Sequence, residues 1–415
     1  MIPPLQQWAQ EPVYPAGPFT WSAAATKLAP TPDYFTPADK PRAQYWNYLL
    51  GAQAASLWYA QGAPQTVAAL NWGTLFHATT FAGNAYLKAA CWQGGLWWVA
   101  AVIQVSAVNY MSIWTRHPYP DFPNSVGTYG WTHPNNNTLS PPPRSGVAPD
   151  QNFVALAPDP TSSTVVWLGM VTSATHCGVW TFDGTSYTPQ TSVNVATGQA
   201  TVTMHTYNGR VLIGVGSTGG DEARIFVQPD NVGAVTFGLA TIWRFADSGS
   251  FCVAMPGYLR GAPTFWTSPD GLTWSPQTIY FLNSNEQIFG VVYTQDADGP
   301  CFVAGINTND IPRFVKSVDG LTWTPQSVPT TMAPGVDMAA NTGSCIVVST
   351  GDGYTTPYSV DGGVTWYPAY EATLGVQNPN FTEPPSAVSS GVGCLLFNTT
   401  SARFSLMQGL PAASM

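Results

Sequence analysis

Three Asp-Gly turns that each lead into Thr-Trp, four cysteines in phase with them, and apolar runs of strand length predict an all-β fold of repeated sheets. The fold class they point to is a seven-bladed β-propeller over residues 64–415, preceded by a small N-terminal arm over residues 1–63 that contains one helix. The turns lie in FWTSPDGLTWSPQTI (265–279), VKSVDGLTWTPQSV (315–328) and YSVDGGVTWYPAY (358–370). Each ends a strand, reverses through Asp-Gly and starts a new strand at Thr-Trp, a hairpin signal. Their tryptophans, Trp274, Trp323 and Trp366, are 49 and 43 residues apart, the period of a blade or solenoid repeat.

The cysteines keep the same phase. Cys252 and Cys301 precede their tryptophans by 22 residues, Cys345 precedes Trp366 by 21, and Cys394 continues the series. Equivalent positions in successive blades are too far apart for disulfides, so these four are expected as small buried hydrophobes on inner strands. Weaker units lie upstream. VWTFDGTSYTPQ (179–190) carries Tyr187 in place of Trp, with Val165 twenty-two residues before it. Trp97 and Ile213 mark two further units, which brings the count to seven. Counting 21 or 22 residues from Cys394 reaches the chain end, so the last blade has no room for a fourth strand. That strand is expected from upstream, around Val67 to His77, because an open edge is a liability.

Composition agrees with this fold class and narrows function. Charged residues make up 8% of the chain, against roughly 25% in an ordinary soluble domain. Aromatics reach 13%, which excludes disorder. Net charge is −9, with 13 basic residues scattered along the chain, so nucleic acid is not an expected partner. No apolar run is long enough for membrane insertion, and the N-terminus lacks the pattern of a signal peptide.

SVDGGVTW (359–366) matches Ser-x-Asp-x-Gly-x-Thr-Trp residue for residue, and SPDGLTW (268–274) and SVDGLTW (317–323) are one residue shorter. The sequence therefore resembles the Asp-box, or BNR-repeat, propellers, which include sialidases and many non-enzymatic proteins. The resemblance covers blades four to six well and the others loosely. It assigns structural roles to Ser268, Asp270, Gly271 and Trp274, to Ser317, Asp319, Gly320 and Trp323, and to Ser359, Asp361, Gly363 and Trp366. The chemistry of those residue types supports the assignment. Asp and Ser bond nearby backbone N–H groups, Gly accepts positive φ, and Trp offers a large face to pack between blades.

Catalysis is not expected. Family sialidases carry three arginines for the substrate carboxylate, a Tyr–Glu nucleophile pair, an Asp acid/base and an early Arg-Ile-Pro motif. The nearest string here is Ile311-Pro312-Arg313, in the wrong order and place. Asp221 and Glu222 are adjacent in sequence and do not read as the facing pair of a glycosidase. Asp296 and Asp298 in TQDADGP hint at a calcium loop without its remaining ligands, and read better as a solvated turn. The five histidines lack metal spacing, and no nucleotide fingerprint occurs. No metal or cofactor is therefore expected, and a sialidase-like glycan hydrolase is the alternative reading.

The arm has its own texture. A helix is expected over about 39–60, with Asp39 as N-cap and Pro41 in its first turn. Trp46, Leu50, Gln53 and Leu57 form a narrow seam, suited to helix–helix packing or to docking on the propeller itself. Pro41, Ala43, Gln44, Asn47 and Leu49 form a string similar to a segment near the N-termini of bacteriophage tail-fibre and related virion proteins. That resemblance implies a virion location, attachment to other virion proteins through residues 1–63 (Trp46, Asn47, Leu50 and Leu57 on the helix), and a homo-oligomer in the particle. The implied function is a non-enzymatic structural protein: a tail fibre, a receptor-binding protein or a capsid decoration. A lectin-like propeller outside a virion is a further alternative.

The longest irregular stretch, 115–152, holds Tyr119, Tyr129, Trp131 and His133. These flat or amphipathic groups suit recognition of a host-surface glycan or protein, and suit equally a cover over the first blade.

Overall fold

A computed structural model of the chain describes residues 70–76, 84–105, 108–116, 153–194, 200–217, 223–229, 232–237, 243–257, 264–279, 286–308, 311–326, 335–340, 346–350, 357–359, 361–366, 386–390, 393–397 and 406–411. Among the described residues every regular element is a strand. The helix expected over 39–60 lies outside them. The chain divides into two compact units. One holds 1–71, 119–130 and 410–415, nearly all outside the described residues; the other holds 72–118 and 131–409 and carries the strands, apart from the ends of the first and last.

The strands are β1 (Leu70–Phe76), then β2 (Asn84–Gln93), β3 (Leu96–Val105) and β4 (Val108–Arg116), which form one sheet. The next sheet is β5 (Val154–Pro158), β6 (Val166–Ser173), β7 (His176–Phe182) and β8 (Tyr187–Asn194). It is followed by β9 (Ala200–Tyr207), β10 (Arg210–Ser217), β11 (Ala223–Gln228) and β12 (Val232–Phe237). Then come β13 (Trp243–Asp247), β14 (Cys252–Pro256), β15 (Thr264–Ser268) and β16 (Ser275–Thr278). After them stand β17 (Gln287–Asp296), β18 (Gly299–Thr308), β19 (Ile311–Ser317) and β20 (Thr324–Gln326). Two sheets remain: β21 (Gly335–Ala340), β22 (Ile346–Thr350) and β23 (Tyr358–Ser359); and β24 (Ser386–Ser390), β25 (Gly393–Phe397) and β26 (Leu406–Pro411), with β1 placed beside β26. Strands consecutive in sequence pair antiparallel within each sheet.

The first strands of successive sheets lie side by side: β2 on β5, β5 on β9, β9 on β13, β13 on β17, β17 on β21, β21 on β24, and β24 on β2. They form a closed cycle. Buried apolar side chains fill the seams between one sheet and the next. One seam joins Met255 and Phe265 of one sheet to Ile288, Phe302 and Val315 of its neighbour. The next joins Phe289, Val303 and Phe314 to Met338, Ile346 and Val348.

In the sheets where the described residues hold it, the repeat phase marks the second strand, next to the strand that joins the cycle. Cys252 opens β14, Cys301 lies in β18 and Cys394 in β25, while Trp97 and Ile213 lie in β3 and β10. The reason is that the regular turn spacing is kept across strands two to four, while the entry to strand one varies in length. Cys91, Cys177, Cys252 and Cys301 are buried free thiols. Burial pushes the Cys177 thiol up to about 12 and the Cys301 thiol up to about 11, so both stay protonated.

One seam carries a polar latch. Asn307 on β18 donates through Nδ2 to the Gly335 carbonyl at 2.7 Å and accepts from the Gly335 N–H at 2.9 Å. The side chain thus takes the place of a strand partner for the start of β21. Asn307→Ala leaves both backbone groups buried without it, an expected loss of roughly 2–4 kcal/mol, checked by the urea midpoint at unchanged slope.

Candidate functional site

The Ser-x-Asp turns join the third strand to the fourth. In the turn after β15, Asp270 Oδ1 accepts the Leu272 and Thr273 N–H groups at 2.8 and 2.7 Å, and Oδ2 accepts the Thr273 hydroxyl at 3.1 Å. Ser268 Oγ donates to Asp270 Oδ1 at 3.1 Å and accepts the Gly271 N–H at 2.7 Å. Asp319 repeats this with Leu321, Thr322 and Ser317. Asp361 repeats it with Val364, Thr365 and Ser359. Asp183 builds the same cage from Thr185 and Ser186 without a preceding serine.

The turn tryptophans sit in the seams. Trp366 stacks on Phe314 of the preceding sheet, with centroids 3.8 Å apart, and its Nε1 donates to the Gly363 carbonyl at 3.0 Å. Trp323 meets Phe265 edge-on at 5.9 Å. Gly320 and Gly362 have positive φ, and each backs onto the first hairpin of the preceding sheet, at Phe251 and at Gln295–Asp296 respectively. A side chain there is excluded by backbone conformation and by space.

The Thr273 N–H bond, with other bonds to Asp270 and against the opposing effect of burial, holds that carboxyl below the usual aspartate range. A depressed folded pKa contributes stability above the unfolded value of about 3.9, and that contribution is lost as pH falls through the folded value. Asp270→Asn is therefore expected to cost stability at neutral pH, with the gap to the parent closing on acidification. Parallel urea titrations across the acid range check this.

Several titratable side chains are held in pairs. His205 on β9 meets Asp247 on β13 at 2.8 Å across a seam, with the Phe245 ring stacked on the imidazole at 5.8 Å. Lys316 on β19 binds Asp296, which the strand buries, and stands 3.9 Å from the exposed Asp298. A calcium ion would need these carboxylates; the lysine ammonium occupies their field instead. Asp296 is thus buried, not solvated as the turn reading expects, because Lys316 lies on the strand behind it.

Charged groups also gather at the starting ends of β13, β17 and β21. Arg244 on β13 reaches past β17 to Asp337 on β21, at 3.5 Å. Glu286, just before β17, accepts Thr308 Oγ1 at 2.7 Å and the Arg313 guanidinium. Two arginines and two carboxylates lie here, the residue types that bind an anionic sugar. Each of these arginines already faces a protein carboxylate, so a substrate carboxylate would have to displace Asp337 or Glu286. Among the described residues no group of three or more His, Cys, Asp or Glu could hold a metal ion. Tyr119, Tyr129, Trp131 and His133, and the helix positions Trp46, Asn47, Leu50 and Leu57, lie outside the described residues.

No family matches the sequence, and no curated protein is similar to it. Solved structures are similar in fold. Virginiamycin B lyase from Staphylococcus aureus, in a catalytically inactive form with quinupristin, is a β-propeller. It is 11% identical over 82% of this chain and 99% of its own, with a TM-score of 0.51. The fold is a β-propeller. YCF48 from Cyanidioschyzon merolae is also 11% identical, over 82% of this chain and 99% of its own, at a TM-score of 0.48. At 11% identity the likeness to the lyase speaks to the propeller fold alone.

Sequence reasoning missed the propeller's ion pairs. The partners of His205, Arg313 and Lys316 lie 42, 27 and 20 residues away, and those of the Arg244–Asp337 pair are further apart still, with no local pattern that joins them. The one usable signal was scarcity: in a chain this poor in lysine, Lys316 beside a repeat turn invites the question of its partner.

Proposed function

We propose that this chain is a non-enzymatic binding propeller of a bacteriophage virion, a tail fibre, receptor-binding protein or capsid decoration, with seven blades closed by β1. One observation carries the non-enzymatic half of the reading: the arginines at the starting ends of β13 and β17–β19 are neutralised by Asp337 and Glu286. The Arg244 pair joins two sheets and the Arg313 pair ties strands of one sheet, so both charges are already spoken for when a ligand arrives. The aspartates of the turns are likewise consumed by backbone N–H groups, a structural use. Support for the virion half comes from the Pro41–Leu49 string and the helix pattern over 39–60, which fit an attachment arm that oligomerises in the particle. The stretch 115–152 is the proposed contact for a host-surface glycan or protein, through Tyr119, Tyr129, Trp131 and His133.

Two measurements test the halves separately. Detection of the chain in purified particles at constant stoichiometry supports the virion role, and its absence from them rejects it. A glycan-array screen run beside an assay for released sugar tests the rest: binding without release is expected, and release of sialic acid would establish the hydrolase alternative. Trp131→Ala is expected to weaken attachment at unchanged thermal midpoint; unchanged attachment removes this stretch.

A further inference from the structure

We infer that Asn208 is a site of spontaneous deamidation and isomerisation, and that the outer Asp-Gly turns are protected from the same chemistry. Asn208 and Gly209 form the two-residue turn between β9 and β10, with φ of 48° and 71°. That is the primed turn for which Asn-Gly is the favoured pair. Both residues are exposed, and a Cβ built on Gly209 meets nothing within 4 Å. The ladder closes through Tyr207 and Arg210, so the Gly209 N–H lies outside it. The Asn208 backbone carbonyl accepts the Arg210 guanidinium at 3.3 Å, while no hydrogen bond holds its side-chain amide among the described residues.

The step needs no partner but water. The Gly209 backbone nitrogen attacks Asn208 Cγ, a C–N bond forms, the amide nitrogen takes up the proton and ammonia leaves. The five-membered succinimide then adds water at either carbonyl. One opening gives aspartate; the other gives isoaspartate, with an extra methylene in the main chain. Nothing is oxidised or reduced, and a negative charge is gained.

The Asp-Gly turns hold the same atoms out of reach. The Gly271 N–H is buried and donates to Ser268 Oγ at 2.7 Å, while the Asp270 carboxylate is pinned by two backbone N–H groups. Asp319 and Asp183 are pinned in the same manner. Asp298, before Gly299, is exposed, but an ionised carboxylate is a poor electrophile and has no ammonia to lose.

The site matters because of what precedes it. Thr206 Oγ1 donates to the Pro158 carbonyl of one neighbouring sheet at 2.6 Å, and Tyr207 Oη donates to the Pro269 carbonyl of the other at 2.8 Å. An isoaspartate at the hairpin tip lengthens the chain next to both ties. Ageing of this one turn is thus expected to loosen two seams.

The test is a peptide map of the full chain after incubation at mildly alkaline pH, folded and in urea. Isoaspartate is read by enzymatic methyl transfer and by fragmentation mass spectrometry. The expected result is a gain of a single mass unit at Asn208 in the folded chain, ahead of every described Asp-Gly pair. In urea, Asp270 and Asp319 are expected to begin to isomerise. Asn208→Gln, which cannot form the five-membered ring, is expected to lose the signal. Asn208 intact in the folded chain while it reacts in urea would overturn the inference, as would modification of Asp270 or Asp319 as fast as Asn208 in the folded state.

Discussion

Trp366→Ala is expected to lower stability by about 3–5 kcal/mol, the cost typical of emptying a buried tryptophan site. The ring is 5% exposed and lies flat against Phe314, which is itself fully buried. Its removal opens a void between two sheets that the rigid strands on either side cannot collapse to fill. It also frees the Gly363 carbonyl that the indole N–H caps. The urea midpoint should fall steeply at unchanged slope. A comparison with Trp323 sharpens the prediction. Trp323 Nε1 is buried without a hydrogen-bond partner. Trp366→Phe therefore forfeits a bond, whereas Trp323→Phe removes an unsatisfied donor. The phenylalanine variant at 323 is expected to be the milder of the two. Equal losses would show that the indole N–H plays no part at either turn.

Lys316→Met is the second large effect, a loss of about 3–5 kcal/mol from a buried carboxylate left without its partner. The Asp296 side chain is 1% exposed, whereas Asp298 is 87% exposed and takes little part. Asp298→Asn is accordingly expected to be near neutral. The double variant Asp296→Leu, Lys316→Met removes both charges and is expected to recover most of the loss, because well-packed apolar groups replace such pairs at little cost. The hydrogen bond to Asp296 raises the Lys316 pKa, outweighing the opposing effect of burial. A raised folded pKa gives stability that is complete below the unfolded value of about 10.4 and is lost as pH rises through the folded value. The parent chain should therefore weaken at alkaline pH more than the double variant does. Parallel unfolding curves from neutral to strongly alkaline pH check both statements.

What could be read from the sequence was what is local or repeated. Asp270, Asp319 and Asp361 make their bonds within four residues, so the eight-residue string carries the whole turn. The repeat phase located the second strand in several sheets because a repeat copies spacing faithfully. β1 lies beside β26 in the last sheet. The Arg244–Asp337 pair was invisible, because it depends on which sheets a closed cycle brings near one another. The Asn307 latch was hidden for a different reason: an asparagine on a strand looks like any polar surface residue until the glycine it grips is found 28 residues on.

Arg244 and Asp337 also bear on how such a chain can change. Repeat proteins grow and shrink by duplication and loss of whole units, and most seams tolerate this because each sheet touches only its neighbours. This pair spans one intervening sheet and is cut to that length. A copy inserted between β13 and β21 would carry the two charges apart and break the pair. Gains of new units are therefore expected elsewhere around the ring.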